Sequence, residues 1–202
     1  MSSDTRNIHG YTYDSLLTSS PVSTLDLQHL KASASFTLDD ERYLKLAGTV
    51  LEDQTRDIVL LWRAGIIAGI PELARHSRCL NGDPAPDYLA SSNLRFEQWI
   101  LDTCLRPYDQ AWLNYQHEIA LRHTSVKKNV TDGVASSPYI PLRDIVGFTA
   151  VMNETIKPFL GAKGHSVDEV NRMHLAWCKS IQMQLALWIS SYASESLLPG
   201  EW

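Results

Sequence analysis

Cysteine is scarce in this 202-residue chain, and the three residues present, Cys79, Cys104 and Cys178, lie far apart. No CxxC spacing offers a zinc site, and an odd, scattered set argues against a disulfide framework. Positive charge is equally thin. The formal net charge is −5, and basic residues gather no further than the pair Lys127–Lys128, without interleaved aromatics. That excludes a nucleic-acid binder. The longest apolar run, Ile58 to Ile70, is too short to cross a bilayer and is broken by Arg63. The opening MSSDTRNIHGYTYD lacks the apolar stretch of a signal peptide. The expectation is a reduced, cytoplasmic protein with no membrane or nucleic-acid partner. Strand-like alternation, internal repeats and low-complexity linkers are also missing.

What the chain does have is helical periodicity. Hydrophobic residues make up 44% and charged residues 20%, ordinary for a globule and too apolar for disorder. The length fits a single domain, 1–202. Leu25, Leu27 and Leu30 form a short amphipathic piece behind Ser23–Thr24. Thr37–Leu38–Asp39–Asp40 reads as a helix start, with a hydroxyl at the cap and acid in the first turn. The pattern continues to about Ala68, bent near Glu52 to Arg56. Pro71 ends this region, and Asn81–Gly82–Asp83–Pro84 marks a loop. A helix bearing Tyr88, Ser92, Phe96, Trp99 and Ile100 follows, with a break at Arg106–Pro107. After a polar connector from Thr124 to Pro138, Pro141 opens a helix carrying Phe148, Met152, Ile156 and Phe159. Ser166 and Glu169 make a capping box for a last long helix reaching about Ser190. About eight helices and no strands make the chain all-α. That count suits a globin-like packing around a cofactor, while a four-helix bundle or a helical interaction domain fits the periodicity too.

Two stripes carry more than packing. In DQAWLNYQHEIALRH, Trp112, Tyr115, Ile119 and His123 recur at spacings of three and four. An imidazole on an apolar face can serve as an axial haem ligand, its second nitrogen held by a carbonyl. A packed core histidine satisfies the same pattern. His174, on the apolar stripe of the last helix, is the competitor and is assigned to packing. His117 is expected at solvent or an interface, and His9, His29, His76 and His165 receive no role. The last helix is apolar on two sides: Val170, His174, Trp177, Ile181, Leu185 and Trp188 form one stripe, and Met173, Ala176, Met183 and Leu187 the other. One face is expected on the core and the other on a partner subunit, while burial of both faces within one chain fits the pattern too.

The strings GYTYDSL, LEDQ, RFEQWILDTC, YDQAWLNYQHEIALRH, KKNVTDGV, IKPFL and AWCKSIQMQLALW, in this order, resemble the protoglobins, from about Gly10 to Trp202. The resemblance implies a globin-like helical sandwich with an extra N-terminal helix and segment, residues 1–24 covering the haem edge. It implies haem b, held non-covalently since the CLRP segment lacks a CxxCH pattern. The proximal iron ligand falls on His123, with Tyr115 and Ile119 beside it. Trp62, Arg63, Ser92, Phe96 and Phe148 fall in the distal pocket, Met152 further along the Phe148 stripe, and Arg95 at a haem propionate. A homodimer through the last two helices is implied as well.

The chain departs from the family at instructive places. Trp62–Arg63 stands where Trp-Tyr is common, Ser92 stands at a usually apolar position, and GIIAGIPEL runs one residue longer. Arg63 is expected to turn outward to a carboxylate or propionate, since a long side chain reaches polar surroundings readily; the alternative is that it faces the iron and donates to bound oxygen. The function expected is reversible binding of oxygen, carbon monoxide and nitric oxide at iron on His123. The alternatives are a haem enzyme acting on peroxide, nitrite or nitric oxide, and a cofactor-free helical interaction protein.

Overall fold

A computed structural model describes residues 8–13 and 17–194. The expected N-terminal segment 1–24 is therefore followed at 8–13 and from 17 onward, and residues 195–202 lie outside the described part. Helix starts fall where cap chemistry puts them. Ser23 and Asp26 exchange side-chain and backbone hydrogen bonds at the start of α1 (Thr24–Ser33), and Thr37 and Asp40 do the same for α2 (Leu38–Leu51). Helix α3 (Thr55–Leu60) begins after the predicted bend and runs into a π-helical turn, Leu61–Ile66, then a 3-10 turn, Ile67–Gly69. Periodicity alone gave no sign of the π turn. It carries Trp62 and Arg63, beside the stretch that runs one residue long, and a π turn takes up one extra residue within a helix.

Helix α4 (Pro71–Ala74) is short, and α5 (Pro86–Leu105) opens on a proline whose missing N–H costs nothing at that position. Helix α6 (Gln110–Leu121) is capped by Asp109, which accepts from the Trp112 N–H at 2.9 Å. It ends two residues short of His123, which the stripe had drawn into the helix. The helix expected from Pro141 onward is divided. Helix α7 (Leu142–Thr155) stops before Ile156, and α8 (Lys157–Leu160) contains Pro158, which has no N–H to continue the ladder. Helix α9 (Val167–Ser194) starts at the Ser166–Glu169 capping box.

The helices form two packed layers. Helix α9 lies against α2, α6, α7 and α8, while α5 lies against α2 and α3. The α2–α5 crossing is close at Gly48, where a Cβ would sit 2.5 Å from Leu105 Cδ2 and 2.8 Å from Cys104 Cβ. Both apolar faces of α9 are covered within the chain. Met173, Ala176 and Met183 are as fully buried as Trp177 and Ile181, and Leu187 packs with Leu27, Trp112 and Leu113. The expectation that the Met183 and Leu187 face meets a partner is thus corrected: α2, α6 and the N-terminal helix take that surface. Among the described residues no helix is long and apolar enough to cross a membrane.

Candidate functional site

The turn after α6, the π turn, α5, α7 and α9 surround a cavity of about 240 Å³. Of the site residues expected from sequence, all but Trp62 line it: Arg63, Ser92, Arg95, Phe96, Tyr115, Ile119, His123, Phe148 and Met152. Trp62 is fully buried one layer back. Its ring packs 5.0 Å from Phe96 and 6.4 Å from Phe148, and its Nε1 donates to Thr155 Oγ1 at 2.8 Å.

His123 owes its position to the way α6 stops. Its N–H bonds the Ala120 carbonyl at 2.9 Å in a tight turn, and its ring Nδ1 lies 2.7 Å from the carbonyl oxygen of Ile119. A carbonyl only accepts, so Nδ1 carries the proton and Nε2 keeps the lone pair of a neutral ring. Burial pushes the imidazole pKa down to about 4; the Ile119 bond opposes this, and the charges of Lys128, Arg63 and Arg122 add to it. The ring is therefore neutral at physiological pH. Trp188 lies nearly parallel to it, centroids 6.0 Å apart and planes 18° from parallel. Among the described residues no group of three or more His, Cys, Asp or Glu gathers around a metal position. A metal at His123 would have to bring its other ligands with it.

Much of the remaining lining is apolar, with Phe96, Phe148, Met152 and Ile145. Arg63 breaks that pattern. Its Nη2 donates to Ser92 Oγ at 2.7 Å, its Nη1 to Ser77 Oγ at 3.4 Å, and its guanidinium lies 5.3 Å from the Phe96 ring. Its Nε is buried without a partner. Burial lowers its pKa, partly offset by Tyr88. The outward carboxylate expected for this residue is not there among the described residues. Two serine hydroxyls at the cavity wall take the guanidinium instead, one of them the Ser92 that departs from the family pattern.

At the rim, Arg95 forms a bidentate pair with Asp132, at 3.0 and 2.7 Å. The fork that the resemblance reserves for a propionate is thus engaged by a protein carboxylate. Arg95 Nη1 also donates to the His9 carbonyl at 2.8 Å, and Arg122 donates to the Gly10 carbonyl. Tyr11 lines the cavity and donates to the buried Asp102 at 2.8 Å. Residues 8–13 are therefore pinned along one edge. Gly10 is required there: its φ is +72°, and a Cβ would meet Thr131 Cγ2 at 2.5 Å.

Sequence reasoning missed several wall residues. Lys128 is only 5% exposed, and its ammonium donates to the His76 carbonyl at 3.3 Å and the Tyr88 hydroxyl at 3.2 Å. His76, given no role, is buried with Nδ1 2.8 Å from Ser137 Oγ and Nε2 3.2 Å from Asp144 Oδ2. Burial lowers its pKa against the pull of Asp144. Trp188 sits on an apolar stripe of the last helix that gives no sign of its place beside His123. The Lys127–Lys128 pair sits in a connector without periodicity, so nothing in the sequence distinguished the buried lysine from its half-exposed neighbour. The competitor His174 is turned to the Asn153 carbonyl, 2.7 Å from Nε2, and is not part of the cavity wall. His117 lies 3.3 Å from Ser191 Oγ, also off the cavity.

The protoglobin family model matches residues 23–197. No curated protein matches the chain in sequence. Among solved structures, the globin domain of a Geobacter sulfurreducens globin-coupled sensor superposes with a TM-score of 0.62 at 17% identity. The match covers 82% of this chain and 97% of that one. At that identity the likeness is one of fold, and the fold is that of a globin domain.

Proposed function

This chain belongs to the protoglobin family, and we propose that it holds haem b non-covalently through His123 and binds diatomic gases. The globin family implies a haem cofactor; when bound, its ferrous iron supplies an open position for oxygen, carbon monoxide or nitric oxide.

One observation carries this reading. His123 faces the cavity as a neutral imidazole whose proton is held on Nδ1 by the Ile119 carbonyl, leaving Nε2 as the ligating atom. The rest of the wall fits the same group. Trp188 stacks on the ring and the Ile119 carbonyl holds its Nδ1 proton, while Tyr115, Phe96, Phe148 and Met152 line the same cavity and give it an apolar face. Arg63 and Ser92 provide polar hydrogens on that face. Residues 8–13, tied down by Arg95 and Arg122, close one edge, which supports the covering role expected of segment 1–24. A homodimer through α7 and α9 is part of the proposal. Its support is the outward surface of these helices, where Val146, Leu175 and Ile189 are 43%, 53% and 39% exposed.

The test is stoichiometric. Protein purified with adequate haem supply is expected to be red and to bind one haem per chain, with carbon monoxide shifting its intense violet absorption band. Colourless protein that leaves added haemin unbound would contradict the reading.

A further inference from the structure

Two cationic side chains of the cavity wall reach neighbouring residues, and among the described residues neither meets a carboxylate. Arg63 Nη1 reaches Ser77 Oγ, and Lys128 Nζ reaches the carbonyl of His76, the preceding residue. Tyr88 stands beside them: its hydroxyl accepts from Lys128 at 3.2 Å, and its ring lies 5.1 Å from the ammonium. The remaining contacts of both cations are neutral too, Ser92 and the Phe96 ring for Arg63. The acids lining the cavity are all engaged elsewhere. Glu118 pairs with Arg122 and Lys127, Asp132 with Arg95, and Asp144 with His76. Two positive charges thus line one cavity with only neutral contacts among the described residues, an arrangement that favours a negative partner.

We propose that Arg63, Lys128 and Tyr88 form a site for one planar oxyanion of the carboxylate or nitrite class. The planar guanidinium of Arg63 lines the cavity with Nη hydrogens beyond its two serine contacts, and these can meet an oxygen of the anion. Lys128 has a third N–H beyond its two contacts, and Tyr88, accepting from Lys128, still has its own O–H to donate. The anion has two possible sources, a propionate of the bound haem or a free small oxyanion. The first rests on the haem reading above; the second does not.

The experiment has two arms. In chloride-free buffer the purified protein, kept ferrous and saturated with carbon monoxide so that the iron accepts no anion, is titrated with sodium formate while Tm is followed. Protein that carries no haem is titrated as it is, so a failure of the haem reading leaves this arm standing. A free oxyanion site predicts a formate-dependent rise in Tm. Lys128→Met and Arg63→Met should weaken the apparent formate affinity at least tenfold, and exposed Lys45→Met should leave it unchanged. Without formate, Lys128→Met should raise Tm, the opposite sign to the loss of a structural lysine. Tyr88→Phe removes only a hydroxyl, and a severalfold loss of formate affinity is expected from it even if a charge variant fails to fold. The second arm compares release of haem with release of its dimethyl ester. A propionate source predicts that Lys128→Met and Tyr88→Phe speed release of haem and not of the ester. No response to formate, together with equal effects on haem and ester, would overturn the site.

Discussion

Trp188 stands over the imidazole of His123 at 6.0 Å with its plane 18° from parallel, and its Nε1 donates to Gln116 Oε1 at 2.9 Å. The indole is therefore held by α6, the same helix whose end positions His123. Trp188→Leu should free the imidazole to tilt and should speed haem loss about tenfold, or about 1.4 kcal/mol. Trp177→Leu is the control, since Trp177 is fully buried in the same core but does not line the cavity. It should lower Tm with a much smaller effect on haem release. Transfer of haem to a scavenging apoprotein measures both, and equal release rates would contradict the role given to Trp188.

Acid stability should depend on Asp40. Burial pushes its carboxyl pKa up, but Lys179 Nζ at 2.9 Å and the N–H and hydroxyl of Thr37 outweigh this and hold it below the ordinary value. A carboxyl depressed in the folded state stabilises fully above its unfolded pKa, about 3.9 for Asp. That contribution is lost as pH falls through the lower folded value. Asp40→Asn is expected to cost about 1–3 kcal/mol at neutral pH, from a half-lost capping box and a partly buried ammonium left unpaired. The gap to the parent protein should narrow as pH falls below about 4. Urea unfolding across that range checks it, and a gap independent of pH would refute it.

The dimer surface is testable by two kinds of charge. Leu175→Glu and Ile189→Glu lie on the outward face of α9 and should yield folded monomers. Met183→Glu, on the face covered within the chain, should instead unfold the protein, because a buried unpaired carboxylate costs several kcal/mol. Light scattering with circular dichroism separates the two outcomes. A parent protein that scatters as a monomer at micromolar concentration would remove the dimer from the account.

Much of this architecture is legible in the sequence because its signals are local. Ser23, Thr37 and Ser166 mark helix starts through hydrogen bonds made within a few residues, and the breaks at Pro71 and Arg106–Pro107 follow from proline geometry. The apolar stripe of α6 points to His123 for the same reason, whereas Phe96, Phe148 and Met152 are singled out only by the resemblance to the protoglobins. What stayed hidden depends on distant partners. Arg63 is turned inward by Ser77 and Ser92, which lie 14 and 29 residues away in the chain. The buried Lys128 donates to the His76 carbonyl across 52 residues. The second face of α9 is covered by helices whose arrangement the sequence of α9 cannot encode. The π turn at Trp62 is missed because a stripe assumes a constant helical pitch.

The most direct measurement is the absorption spectrum of His123→Gly with and without added imidazole. The account predicts that the variant purifies with little or weakly held haem and that free imidazole, filling the space of the lost side chain, restores haem binding and the parent spectrum. His76→Ala and His174→Ala should keep the parent spectrum throughout. A His123→Gly protein that retains an unaltered haem, or a His174→Ala protein that loses it, would contradict the assignment of His123.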